Sequence, residues 1–295
     1  MAAVETRLRE IAAVEEHSLA TLAAGGKRLR PLLVLVAGLG SGAHVALSRA
    51  AAAVELIHSA TLVHDDVLDD APLRRGRDTV FAAAGRTAAT ATGDLLFSSA
   101  FAELARNGAI AQLRALSGAS AALARGELMQ RADAWRAEVT LERYLQRCEL
   151  KTARLFAAAC ELGGLVGGGP PLRPFGRAVG LAFQLLDDVL DITGPAERTG
   201  KRRGTDLLDG TVTLPLILAR ESSPELAALD LRAISGAADA DRICTAIEAT
   251  GAVERARRQA LDLVATAKRE LPAQCPPRQR EALELIADGL VERFA

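Results

Sequence analysis

The run Leu56-Ile57-His58-Ser59-Ala60-Thr61-Leu62-Val63-His64-Asp65-Asp66-Val67-Leu68-Asp69 is an apolar, helix-forming stretch that ends in three carboxylates. Its last five residues, Asp-Asp-Val-Leu-Asp, return at Asp187 to Asp191 behind Leu181, Phe183, Leu185 and Leu186. Such apolar lead-ins mark both runs as helices with buried faces. On a helix the first and last aspartates of each copy share a face one turn apart, and the middle one stands about 100° around. Repulsion among the acids destabilises such a segment unless a cation relieves it. Two copies facing each other across a cavity would offer hard oxygen ligands from both sides, which suits Mg²⁺ bridging carboxylates to phosphate oxygens. A solvated acidic face is the plain reading of one copy alone. The buried lead-ins favour a functional one.

Around these runs the pattern is helical almost throughout. Ala, Leu, Arg and Glu dominate, apolar residues recur at three and four, and no segment alternates with period two. Breaks fall at Gly25-Gly26, Gly38 to Gly42, Ala71-Pro72, Asn107-Gly108, Gly163 to Pro171, Thr193 to Gly204 and Pro276-Pro277. The expectation is an all-α fold, a bundle of roughly ten or more helices. Gly167 to Pro171 serves either as a linker or as a helix connection. A single domain over residues 1–295 is preferred, because the two aspartate clusters must meet. The flanks of the two pentapeptides do not match, so an internal duplication is not supported.

Composition excludes several classes. The 295 residues are 49% hydrophobic, enough for a substantial core, while a net charge of −1 and 3% aromatics leave no basic field or stacking platforms for nucleic acid. Cys148, Cys160, Cys244 and Cys275 have no paired spacing, which points to reduced thiols and a cytoplasmic protein. Met1 to Glu10 lacks a signal-like apolar run, and no stretch is expected to reach the length of a membrane span.

Positive charge is placed locally. Gly25-Gly26-Lys27-Arg28-Leu29-Arg30-Pro31 sets three cations at the head of an apolar helix, either a phosphate seat or a charged cap. Arg74-Arg75-Gly76 follows Pro72 in a turn, Lys151-Thr152 lies in a helix, and Lys201-Arg202-Arg203 follows the second aspartate cluster. Two carboxylate triads and four basic stations among hydrophobic helices suit a site that handles diphosphates with apolar tails.

These motifs resemble the trans-type isoprenyl diphosphate synthases of the polyprenyl synthetase family. Gly-Gly-Lys-x-x-Arg-Pro, His-Asp-Asp-x-x-Asp followed by Arg-Arg-Gly, Lys-Thr-Ala-x-Leu-Phe and Phe-Gln-x-x-Asp-Asp-x-x-Asp occur in family order between Gly25 and about Leu218. The resemblance implies a single helical bundle around a deep central cavity, usually as a homodimer. It implies that Asp65, Asp66, Asp69, Asp187, Asp188 and Asp191 hold three Mg²⁺ ions on an allylic diphosphate. Lys27, Arg30, His58 and Arg75 would seat isopentenyl diphosphate. Arg74, Lys151, Thr152, Gln184 and Lys201 would contact the allylic diphosphate or the cation beside it. Lys151 and Lys201 would join the aspartates in the chemistry.

In this family, bulky residues four and five positions before the first aspartate shorten the product. Here those positions are Thr61 and Ala60, both small, about 6 and 7.5 Å up the helix. The expectation is a medium- or long-chain all-trans product, with a geranylgeranyl-length one as the nearer alternative; Phe97 and Phe101 are either deeper floors or plain core. Gly210-Thr211-Val212-Thr213 departs from the family's Gly-Lys-x-Thr, which removes a lysine. A class I terpene cyclase would carry a different second metal motif, a regulatory subunit would lose one aspartate cluster, and a helical repeat protein would show a period. The product's apolar tail implies delivery to a membrane.

Overall fold

The computed structural model describes residues 1–13, 15–23, 26–74, 76–194, 203–292 and 294. Helix accounts for nearly all of its regular structure, as expected: α1 Ala2–Ala12, α2 Glu16–Ala23, α3 Leu29–Ala37, α4 His44–Leu68, α5 Val80–Ala105, α6 Ile110–Asp133, α7 Leu141–Cys148, α8 Arg154–Gly167 and α9 Arg173–Thr193. A π-helical turn, Glu149–Ala153, joins α7 to α8. Beyond α9 come Thr205–Leu208, Leu214–Arg220, Pro224–Ala227, Ala237–Ala249, Ala252–Arg269 and Pro277–Glu292. Period-two reading missed a small antiparallel hairpin, β1 Leu73–Arg74 with β2 Arg77–Asp78, because two-residue strands are too short to alternate.

The chain forms two compact units. One comprises Met1–Ser120, Leu155–Arg173 and Pro272–Ala282; the other comprises Ala121–Arg154, Pro174–Leu271 and Leu283–Ala295. Each is assembled from three separated segments, and the Gly167 to Pro171 stretch lies inside the first rather than between them.

In the first unit α4 packs against α1, α3 and α5. Residues Ala50 to Ile57 are buried on every side of this helix. That corrects one expectation, since α4 is long and apolar enough to cross a membrane. Its composition reflects enclosure by neighbouring helices, and it carries the buried Glu55 at mid-length. Thr79 starts α5 by accepting a hydrogen bond from the Ala82 N–H at 3.0 Å. In the second unit, Tyr144 and Leu207 are each about 1% exposed or less, and Leu214 and Leu216 are fully buried. All four cysteines are buried thiols.

The break expected from Gly163 begins later, at Gly168, because α8 runs on through Gly163 and Gly164 to Gly167. A Cβ on Gly163 would lie 2.3 Å from the Val34 carbonyl oxygen and 2.6 Å from the Ala37 Cβ. Glycine therefore serves α3–α8 contact here, not chain reversal. Gly163→Ala sets a gain of about 1 kcal/mol in helix propensity against overpacking of about 1–3 kcal/mol. Because the obstacle is backbone, overpacking should win. Urea denaturation should show a net loss of up to about 2 kcal/mol; a gain would mean that α3 gives way.

Candidate active site

The first carboxylate set closes α4, with Asp69 as the residue after its last turn and its N–H on the Asp65 carbonyl at 2.9 Å. Asp66 is buried, Asp65 is half-buried and Asp69 is exposed. The 100° offset thus becomes a physical division, two outer acids on one face and a middle acid turned inward. Asp66 accepts a hydrogen bond from the Arg74 Nε at 2.7 Å. Arg74, expected on a diphosphate, is engaged by this aspartate from its place on β1. Asp70 pairs with Arg86 at 2.6 Å, which keeps it apart from the ligand set. Arg75 lies outside the described residues.

The second set repeats the division on α9. Asp187 is exposed, Asp191 half-buried and Asp188 only 4% exposed. Asp188 accepts from the Tyr144 hydroxyl at 2.6 Å and from the Gln184 side-chain amide at 2.8 Å. The Gln184 carbonyl oxygen in turn accepts from the Thr152 hydroxyl at 2.6 Å. Thr152 and Gln184, both expected at the allylic diphosphate, are thereby linked to Asp188 through one hydrogen-bond chain. Asp191 accepts from the Thr205 and Asp206 backbone N–H groups at 3.1 and 3.2 Å, so it also caps the short helix Thr205–Leu208.

Burial pushes the Asp188 carboxyl up to about 7, and the charge of Asp206 adds to it; Tyr144, Gln184 and Arg147 pull the other way. The cause is crowding of negative charge in a place with little water. Helix ends sharpen it. Both sets lie towards the C-termini of their helices, the negative ends of the dipoles, and neither last turn holds a basic residue.

Lys151 sits in the π-helical turn, a local widening often found at functional positions. Its Nζ pairs with the Glu127 carboxylate at 2.6 Å and lies 3.2 Å from the Gln130 amide oxygen. A Cβ on Gly126 would meet the Lys151 backbone nitrogen at 2.6 Å, so α6 approaches this turn closely only because residue 126 is glycine. Glu127, Gln130 and Tyr144 were missed by the sequence reading. Only the glycine-acid pair in α6 and the chain's single tyrosine could have flagged them.

In the first unit, Lys27 is exposed and Arg30 half-buried at the start of α3, whose N-terminus has no side-chain cap. The Arg30 guanidinium lies over the Phe156 ring, 4.5 Å from its centroid. Arg28, the third cation of the segment, turns into the protein and pairs with Glu5 and Glu55. His58 is half-buried on α4, and its carbonyl accepts from the Thr61 hydroxyl at 2.7 Å. Ala60 is fully buried, whereas Thr61 is half-buried. Phe97 stacks on His64 with centroids 5.7 Å apart.

Thr211, at the departure from the family pattern, is buried, and its N–H bonds the Asp206 carbonyl at 2.8 Å. It supplies no cation. Arg203 does not replace one, because it donates to the Ile192 carbonyl at 2.5 Å and pairs with Glu248 at 2.8 Å. Lys201 and Arg202 lie outside the described residues.

No group of three or more His, Cys, Asp or Glu side chains forms a ready metal cage among the described residues. The donor set nevertheless fits a hard divalent cation. It consists of carboxylate oxygens, the hard donors that such a cation takes.

Tyr144→Phe removes a donor to a buried carboxylate and should cost about 1–3 kcal/mol. A carboxyl whose folded pKa is raised binds more protons folded than unfolded, so its contribution to stability falls as pH climbs from about 4 to about 7. Without the hydroxyl that fall extends higher. Thermal unfolding without divalent cations should therefore show a larger deficit at about pH 8 than at about pH 5; equal deficits would mean that Asp188 does not titrate in this window.

The sequence model of the family described as polyprenyl synthetase matches residues 12–250. The chain is 41% identical over 267 residues to the heptaprenyl diphosphate synthase component 2 of Geobacillus stearothermophilus, covering 86% of this chain and 83% of that one. It is 37% identical over 302 residues to the short chain isoprenyl diphosphate synthase of Methanothermobacter thermautotrophicus, covering 98% and 91%. It also superposes on the crystal structure of a polyprenyl synthase from Caulobacter crescentus complexed with calcium and isoprenyl diphosphate. That match has a TM-score of 0.88, 37% identity and coverage of 99% of this chain and 93% of that one. With its all-α isoprenoid synthase fold, the chain belongs to the polyprenyl synthetase family and is a prenyltransferase of the trans-isoprenyl diphosphate synthase type.

Proposed function

We propose that this synthase condenses isopentenyl diphosphate with an allylic diphosphate, head to tail, to an all-trans polyprenyl diphosphate of medium or long chain. The observation that carries the length is the small pair Ala60 and Thr61 on α4, at the positions where a bulky side chain would stop a growing tail. A geranylgeranyl-length product is the second reading, since the relatives range from short-chain to heptaprenyl synthases by name. The family match runs through segments of both compact units, which supports reading the chain as one synthase domain.

In this reading Asp65, Asp69, Asp187 and Asp191 are the outer acids that hold magnesium, three ions in all. Asp66 and Asp188 complete the six. Bound Mg²⁺ would neutralise the diphosphate and act as a Lewis acid on the leaving group. The calcium in the Caulobacter complex supports a divalent ion beside an isoprenyl diphosphate in that protein. Tyr144 and Gln184 keep Asp188 in place, and Thr152 fixes Gln184. Glu127 holds Lys151 in place for the allylic diphosphate. Lys27, Arg30, His58 and Arg75 seat isopentenyl diphosphate, while Arg74 and Lys201 serve the allylic side.

The allylic C–O bond breaks with its electron pair leaving on diphosphate, and the isopentenyl alkene donates a pair to the resulting cation to form the new C–C bond. Loss of one proton, taken up by the departed diphosphate, then restores an alkene. The side chains stabilise charge and no covalent enzyme intermediate is required. Apolar walls exclude the water that would trap the cation as an alcohol. With Thr211 in place of lysine, that contact to the allylic diphosphate is lost unless Lys201 or Arg202 supplies it.

The homodimer remains a proposal. The component naming of the Geobacillus relative makes an unlike second chain the competing one. A cytoplasmic enzyme that passes its apolar product to a membrane completes the reading.

Purified chain, labelled isopentenyl diphosphate, Mg²⁺ and separate allylic primers should give elongated products, sized after dephosphorylation. Absence of elongation from every primer would overturn the assignment, and activity restored only by a second chain would overturn the homodimer. Ala60→Phe should shorten the product while preserving the first condensation; an unchanged product distribution would mean that the tail does not pass this face.

A further inference from the structure

Arg28 is the cation of the Lys27-Arg28-Leu29-Arg30 segment that the proposed chemistry does not use, and it is tied at three points. It occupies the position just before α3 with φ 48° and ψ 37°, a left-handed conformation costly for a side chain this long. Its Nε donates to Glu5 on α1 at 2.8 Å, its Nη1 to Glu55 on α4 at 2.5 Å and its Nη2 to the Leu22 carbonyl on α2 at 2.7 Å. The Arg28 side chain is 10% exposed and that of Glu55 5%.

One guanidinium thus joins four helices of the same compact unit at the turn that carries Lys27 and Arg30. Glu55 stands three residues before His58, so it shares a helix face with that histidine. Stability alone does not account for the arrangement. A buried ion pair is often no better than well-packed apolar residues of similar volume, and here a strained backbone is added. What the pair adds over apolar packing is direction, since a guanidinium with three fixed partners sets the orientation of its own backbone.

We propose that Arg28, clamped by Glu5 and Glu55, is a positioning residue that fixes Lys27 and Arg30 against α4 for the diphosphate of isopentenyl diphosphate. This rests on the reading of Lys27, Arg30 and His58 as that seat. Arg28 touches no substrate; it acts through its two neighbours. Glu5, the more exposed partner at 35%, contributes less than Glu55.

The test is steady-state kinetics with each substrate varied in turn, together with thermal unfolding. Glu55→Gln and Arg28→Lys should each raise KM for isopentenyl diphosphate about tenfold, with KM for the allylic primer and kcat changed less than about twofold. Glu5→Ala should give a smaller rise of the same kind. The double variant Arg28→Met with Glu55→Leu restores apolar packing, so it should keep the melting temperature while retaining the raised KM. A normal KM in that folded double variant, or equal rises for both substrates, would overturn the proposal. Wild-type protein that elongates no primer would instead overturn the reading on which it rests.

Discussion

Negative charge gathered at the C-terminal ends of two apolar helices is the constraint on which the rest of this structure depends. The helix dipole disfavours it there, and burial of one acid in each set disfavours it further. The protein answers with two arrangements. The inward acids are held by protein groups, Asp66 by Arg74 and Asp188 by Tyr144 and Gln184. Under the proposed function, a divalent cation would relieve the repulsion among the outer acids, and a diphosphate would bring the further oxygens that such a cation takes up.

Positioning of the cations follows the same logic. Several basic groups near the motifs are held by an acidic partner or an aromatic face. Lys151 has Glu127, Arg28 has Glu5 and Glu55, and Arg30 lies over Phe156. Such contacts limit rotamer freedom before substrate arrives, so less ordering remains to be done on binding. The π-helical turn at Glu149–Ala153 belongs to this set. It alters the direction in which Lys151 and Thr152 leave their helix, and Gly126 lets α6 come near enough to engage the lysine.

The fold class and the carboxylate division were legible because both depend on local periodicity. An offset of about 100° between neighbouring helical residues already separates Asp66 from Asp65 and Asp69. What was not legible depends on contacts between residues far apart in the chain. Tyr144 and Asp188 are 44 positions apart, and Lys151 and Gln130 are 21 apart. Nor could spacing tell Arg28 from its neighbours, since its inward turn follows from a left-handed backbone and from carboxylates on α1 and α4. Gly163 read as a breaker and proved to be a contact, because single-sequence reading does not distinguish glycine needed for chain reversal from glycine needed for space. At Thr211 the sequence did register the missing lysine, and the structure adds that the position is buried and that Arg203 is engaged elsewhere.

The proposed function requires that the outer acids of each set take part in binding a cation-bridged diphosphate. Calorimetric titration of the intact chain with an unreactive allylic thiodiphosphate, with and without Mg²⁺, addresses it directly. Binding should require Mg²⁺, should be lost in Asp65→Asn and in Asp187→Asn separately, and should persist in Asp70→Asn. Binding that is indifferent to Mg²⁺, or that survives in either of the first two variants, would contradict the account.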